Sequence, residues 1–171
     1  MKARIAAFDA AADAWFDQVR GHPVCDRVLY GASALGDFSL LWHLAGAAEG
    51  LRGNERKAVT LAAALGVESV LVNGVVKSCF RRDRPAWDQH RHRRIRKPRS
   101  SSFPSGHATS AFMAATVLGT GRPATTKAAW YGVATLVAAS RVHVKIHHAS
   151  DVVGGVAIGL GLGALVRRLV R

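Results

Sequence analysis

Three separated fragments of the chain hold residue types that could grip a phosphate and transfer it. They are Lys77-Ser-Cys-Phe-Arg-Arg-Asp-Arg84-Pro85, then Pro104-Ser105-Gly106-His107, then Ser140-Arg141 running through His147 to Asp151. Lys77, Arg84 and Arg141 are fixed cations. Arg84 can present a planar donor fork to phosphate oxygens, and Lys77 adds a point charge. Seven residues are nearly two helical turns, so a helix continuing to Pro85 would put Lys77 and Arg84 on one face. Pro104 to His107 opens an apolar run. Free N–H groups and the positive dipole end at a helix start favour an anion. Gly106 permits close backbone approach, the Ser105 hydroxyl adds a donor, and His107 stands at the lip.

The third fragment proposes a nucleophile. His147 and Asp151 are four residues apart and would stack on one face of a helix. A carboxylate accepting the imidazole N–H fixes the tautomer and leaves the other nitrogen basic. Such a histidine can attack phosphorus directly. Arg141, six residues earlier, could return to the same phosphate across a short loop. Each fragment alone is ordinary: a basic helix end, a helix cap, a surface His–Asp pair. A metal set of His143, His147, His148 and Asp151 is the rival reading. It is disfavoured, because a dication beside three cations and one carboxylate is electrostatically poor.

The elements that must position these residues read as helices. Ile5, Phe8, Ala12, Trp15, Phe16 and Val19 share one helical face, and Asp9, Asp13 and Asp17 share another. The first 20 residues therefore form an amphipathic helix, which packs on the body or lies at a membrane interface. The acidic face speaks for packing. Phe38–Ala48 is apolar, and Gly53-Asn54 breaks it. Val59–Val76 carries Glu68 as its only charge. The runs 104–118, 128–139 and 152–166 follow. The last is uncharged and holds Gly155, Gly159 and Gly163 at four-residue spacing, a pattern that lets helices approach closely. Arg167, Arg168 and Arg171 stand directly after it. The expected fold is all-α, a membrane-embedded bundle of about five or six helices in a single domain, 1–171. A soluble bundle of buried helices is the alternative.

The formal net charge is +13, the sequence pI about 11.2 and the mean hydropathy only +0.10. That mean hides a concentration of charge in a few places, Arg81–Arg99 above all. This stretch has two prolines and must lie outside hydrocarbon. It is expected to meet lipid headgroups rather than nucleic acid, having one aromatic residue, Trp87, and no nucleic-acid fold around it. Cys25 and Cys79 are far apart and suggest neither a disulfide framework nor a zinc site. Asp9 and Asp13 interrupt the apolar core that a signal peptide needs. No feature selects an oligomeric state.

The three fragments, complete and in order across residues 77–151, resemble the signature of the type 2 phosphatidic acid phosphatase (PAP2) superfamily. The resemblance implies that Lys77, Arg84 and Arg141 bind phosphate, with Ser105 and the Gly106 amide assisting. It implies that His147 becomes a phosphohistidine, that Asp151 supports it, and that His107 protonates the leaving alkoxide and then activates water. No metal or cofactor is implied. The expected substrate is a lipid phosphate or diphosphate, polyprenyl-type or phosphatidic acid-like. The expected location is a bacterial cytoplasmic membrane with an extracytoplasmic active site. A soluble acid phosphatase or a vanadium haloperoxidase-like member is the alternative within the superfamily. A non-catalytic binder of anionic lipid or nucleic acid is the alternative outside it.

Overall fold

The computed structural model describes residues 1–86 and 100–170. Most of the Arg/His-rich stretch, 87–99, and Arg171 lie outside the described residues, so its expected contact with headgroups is not addressed. Among the described residues there are helices and no strands. They are α1 (Lys2–Asp17), α2 (Pro23–Gly36), α3 (Leu40–Leu51), α4 (Glu55–Ser69), α5 (Gly106–Leu118), α6 (Ala124–His143) and α7 (Ala149–Val166). A short 3₁₀ turn, Asp37–Ser39, joins α2 to α3. A π-helical turn, Val70–Val75, and a 3₁₀ turn, Val76–Cys79, extend α4.

Helix α5 is the hub, touching α3, α4, α6 and α7. Its residues are small and nearly all buried, among them Ala108, Ala111, Ala114 and Ala115. Large side chains from the neighbours fill the space around it: Trp42, Leu61, Leu65 and Val137 pack with Met113 and Leu118. The glycine spacing of α7 finds its purpose here. A Cβ on Gly159 would lie 2.4 Å from the Thr109 carbonyl oxygen, and one on Gly155 would lie 2.5 Å from that of Ser105. These contacts are with backbone, which cannot step aside.

The outward surface is apolar as well. Val59 and Val67 of α4, Val70 of the π-helical turn, Leu44 of α3, and Val153 and Leu165 of α7 are all more than half exposed. Two stretches, 55–79 and 149–166, are long and apolar enough to cross a membrane, each with mean hydropathy 1.8. Only 28% of each such window is buried within the protein. A soluble core helix would bury most of that surface, so the unburied apolar faces call for lipid. Glu68, the only charge in the run 59–76, turns inward and is 3% exposed.

Helix α1 packs on α6 and α7, with Asp9 of its acidic face turned inward and Asp13 and Asp17 left half exposed at the edge. Asp9 is 8% exposed, while Phe8 and Trp15 are about half exposed at 49% and 58%. Arg20, just after α1, donates to the carbonyls of Val142 (2.8 Å) and His143 (2.8 Å) and to Asp13 (2.6 Å). Polar groups thus dock the helix and its apolar side is left to the surroundings.

The α5–α7 seam yields a paired test. Gly159→Ala must push backbone apart and should cost about 1–3 kcal/mol. Gly161→Ala, with nothing within 4 Å of the added carbon, should leave the thermal midpoint in detergent unchanged or slightly raised. Equal midpoints for the two variants would contradict this packing.

Candidate active site

The site forms where the starts of α5 and α7 abut. The Ser105 N–H donates to the Asp151 carbonyl at 3.0 Å, tying one helix start to the other. Helix α5 begins at Gly106, two residues after Pro104, with Ser105 as its N-cap. The Ser105 side chain accepts from the Ala108 N–H at 3.5 Å and is fully buried. Its oxygen is used as a cap, and its own proton remains to donate.

Lys77 arrives from the extension of α4. Its Nζ donates to Asn73 Oδ1 at 2.8 Å, and the side chain is buried. A Cβ on Gly106 would lie 3.3 Å from that Asn73 oxygen and 3.9 Å from Lys77 Nζ. Glycine therefore lets the start of α5 stand against the lysine. The π-helical turn that holds Asn73 sits next to the site, as such turns often do.

Arg84 does not share a helix with Lys77, contrary to the expectation from their spacing. The helix ends at Cys79, and Phe80 is extended (φ −121°, ψ 135°). Residues 82–84 exchange hydrogen bonds with 100–102 instead: the Ser102 N–H donates to Arg82 O at 2.9 Å, and Arg84 donates to the carbonyls of Ser100 and Ser101. These bonds replace the intrahelical ones. Arg84 still reaches the site by this route, and its Nη1 lies 3.0 Å from the Ile146 carbonyl and 3.4 Å from His147 Nε2.

His147 lies in the turn between α6 and α7 and is 3% exposed. A guanidinium can only donate, so Nε2 is the acceptor and carries the lone pair. Burial pushes the His147 imidazole down to about 3; the Asp151 carboxylate opposes the shift, and Arg84, Arg141 and Lys77 reinforce it. The ring is therefore neutral at neutral pH, with its lone pair facing the cations. Arg141 of α6 is buried and donates to the Ser33 hydroxyl of α2. Its Nε has no hydrogen-bond partner among the described residues.

Asp151 stands beside His147 but beyond hydrogen-bond reach: Oδ2 is 3.8 Å from Nδ1. Its oxygens are already engaged. Oδ2 accepts from the Ser102 hydroxyl (2.6 Å) and the His148 N–H (2.9 Å), and Oδ1 accepts from Arg82 (2.6 Å). The expected direct imidazole bond is thus replaced by a fixed negative charge beside the ring. His148 and Asp151 are the N-cap and third residue of α7, so the carboxylate also caps the helix. His107 lies apart from this carboxylate, with Nε2 2.9 Å from Asp37 Oδ1. His143 is bonded to Asp26 of α2 at 2.8 Å.

Sequence reasoning missed Arg82, Asp9 and Ser102. Arg82 bridges Asp151 and Asp9, donating to each at 2.6 Å. Asp9 also accepts from the N–H and hydroxyl of Ser150. The acidic face of α1 was the available signal, because three aspartates at helical spacing need partners. A cavity of about 470 Å³ lies at the other end of α5 between Thr116, Lys127, Tyr131 and Arg167, and holds none of these groups.

Residues 57–171 match the family model of the PAP2 superfamily. Among solved structures, the chain is similar to a transmembrane PAP2 type phosphatidylglycerolphosphate phosphatase from Bacillus subtilis, with TM-score 0.75 and 28% identity, covering 96% of this chain and 85% of that one. It is also similar to LpxE from Aquifex aeolicus, with TM-score 0.75 and 29% identity, covering 91% of this chain and 92% of that one. No curated protein matches the chain.

Arg82 is the only described side chain bonded to both Asp9 and Asp151. Arg82→Gln leaves two buried carboxylates short of a cation. With the guanidinium partly wetted, the loss should be about 2–3 kcal/mol, below the usual figure for breaking a fully buried pair. Thermal unfolding of the solubilised protein measures it. A midpoint equal to wild type would show that the bridge contributes nothing.

Proposed function

Since the chain belongs to the PAP2 superfamily, we propose that it is a membrane phosphatase that removes phosphate from a lipid phosphate or diphosphate through a phosphohistidine on His147. The observation that carries this reading is the buried, neutral His147 with its Nε2 lone pair turned toward Arg84. A phosphate drawn in by Lys77, Arg84 and Arg141 would meet that lone pair. Phosphoryl transfer asks chiefly for positioning and charge stabilisation, and this site offers both.

The roles follow from the chemistry. Lys77, Arg84 and Arg141 neutralise the equatorial oxygens, with the first amides of α5 and the Ser105 hydroxyl as further donors. His147 Nε2 forms a bond to phosphorus as the bond to the leaving oxygen breaks. His107 gives its proton to that oxygen. The imidazole then bears phosphate and positive charge, which the fixed Asp151 carboxylate stabilises from 3.8 Å. Water then attacks phosphorus as the bond from phosphorus to Nε2 breaks, His107 takes the water's proton, and phosphate leaves with His147 restored.

The substrate class rests on the surface. Exposed valines and leucines on α3, α4 and α7 keep the bundle in lipid, so a substrate with its tail in the bilayer can offer its headgroup to the site. Polyprenyl-type and phosphatidic acid-like lipids both have this form. A soluble acid phosphatase would expose far less apolar surface. The family resemblance supports an extracytoplasmic site on a bacterial cytoplasmic membrane.

A panel of lipid monophosphates and diphosphates, assayed for phosphate release in detergent, tests the reading. Wild type should hydrolyse at least one class, and His147→Ala should fall by roughly a thousandfold or more. Turnover by His147→Ala at the wild-type rate would overturn it.

A further inference from the structure

His107 has a problem that its own helix does not solve. A general acid must hold its proton until the alkoxide departs. Burial of the ring opposes its protonation most, and the charges of Arg141 from α6 and Lys77 from the α4 extension add to that. The carboxylate against it is Asp37, with Oδ1 2.9 Å from Nε2. An ionised carboxylate only accepts, so Nε2 carries the hydrogen in this contact.

Two further observations set Asp37 apart from a chance surface partner. It heads the turn between α2 and α3, in which Phe38 (φ 53°) and Ser39 (φ 56°) are both left-handed and neither is glycine. Each such residue is strained and persists only where its surroundings over-determine it. Burial does not hold this turn, because Phe38 is 85% exposed. Gly36, on the other side of Asp37, forms a notch for the histidine. A Cβ there would lie 2.6 Å from His107 Cδ2 and 3.0 Å from Val137 Cγ1. The turn is thus shaped to lie flush against the ring and to aim a carboxylate at one nitrogen.

We infer that Asp37 is the positioning residue of the proton donor: it holds His107 with Nε2–H bonded to its carboxylate, so that Nδ1 delivers the proton to the leaving oxygen. This rests on the reading of His107 as the acid of the proposed function. As the P–O bond breaks and the bond from phosphorus to His147 forms, the Nδ1 proton passes to the leaving oxygen. His107 becomes neutral and keeps its hydrogen on Nε2. Asp37 remains ionised throughout and exchanges no proton.

Leaving groups separate this role from a structural one. A long-chain alkyl phosphate releases a strongly basic alkoxide and needs the acid. A nitrophenyl phosphate bearing the same chain releases a stable phenolate and does not. The measurement is kcat/KM, which reports the first transfer, for wild type, Asp37→Asn and His147→Ala on both substrates. Asp37→Asn should lose about tenfold or more on the alkyl substrate and stay within about twofold on the nitrophenyl one. The nitrophenyl rate also reports that the variant is folded. Equal losses on both substrates, or no loss on either, would overturn the role of Asp37 while leaving His147 as nucleophile. Full turnover by His147→Ala would overturn the underlying reading instead.

Discussion

A carboxylate with no exposure to water organises this protein. Asp151 at the start of α7 accepts hydrogen bonds from Arg82, Ser102 and the His148 amide, and its carbonyl accepts from Ser105. An unpaired buried charge is costly, so each partner is held where it stands. Those partners come from all three sequence fragments or their flanks. Through Arg82 the same group reaches Asp9, and with it α1. One ion-pair network therefore ties the starts of α5 and α7 to Arg82 and α1, alongside the close packing of α7 on α5.

The helices around this network satisfy two apolar demands at once. On the inside, glycines of α7 meet the backbone of α5 closely enough that a methyl group would not fit. On the outside, valines and leucines face lipid. In such an environment hydrophobicity cannot tell a helix which side to turn inward, since both sides meet apolar matter. Polar contacts make that choice, as in α1, where Asp9 turns in and Trp15 turns out.

Much of the site was legible in the sequence because its residues occur in short fragments with strong local meaning. The structure sets Lys77 beside Gly106 and Arg84 beside His147, and the all-helical fold followed from long uncharged runs. Other features depend on tertiary contacts that no local pattern reveals. Arg82 stands beside Arg81 and two residues before Arg84, so spacing cannot say which guanidinium is structural. The expected helix through Arg84 gave way because residues 100–102, some twenty positions later, offered its backbone and side chains better partners. No local pattern singles out Asp37, and only its closeness to His107, 70 positions away, gives it meaning.

The account turns on a covalent bond between His147 and phosphorus. Its most direct test is to mix the purified protein with a phosphorus-labelled lipid phosphate, quench in alkali within the first turnovers, and map the label by mass spectrometry. A nitrogen–phosphorus bond survives alkali and is lost in acid, so the account predicts an acid-labile phosphate on His147, absent when His147→Ala is used. Steady release of phosphate with no label on His147 at any quench time, or with the label on another residue, would contradict it.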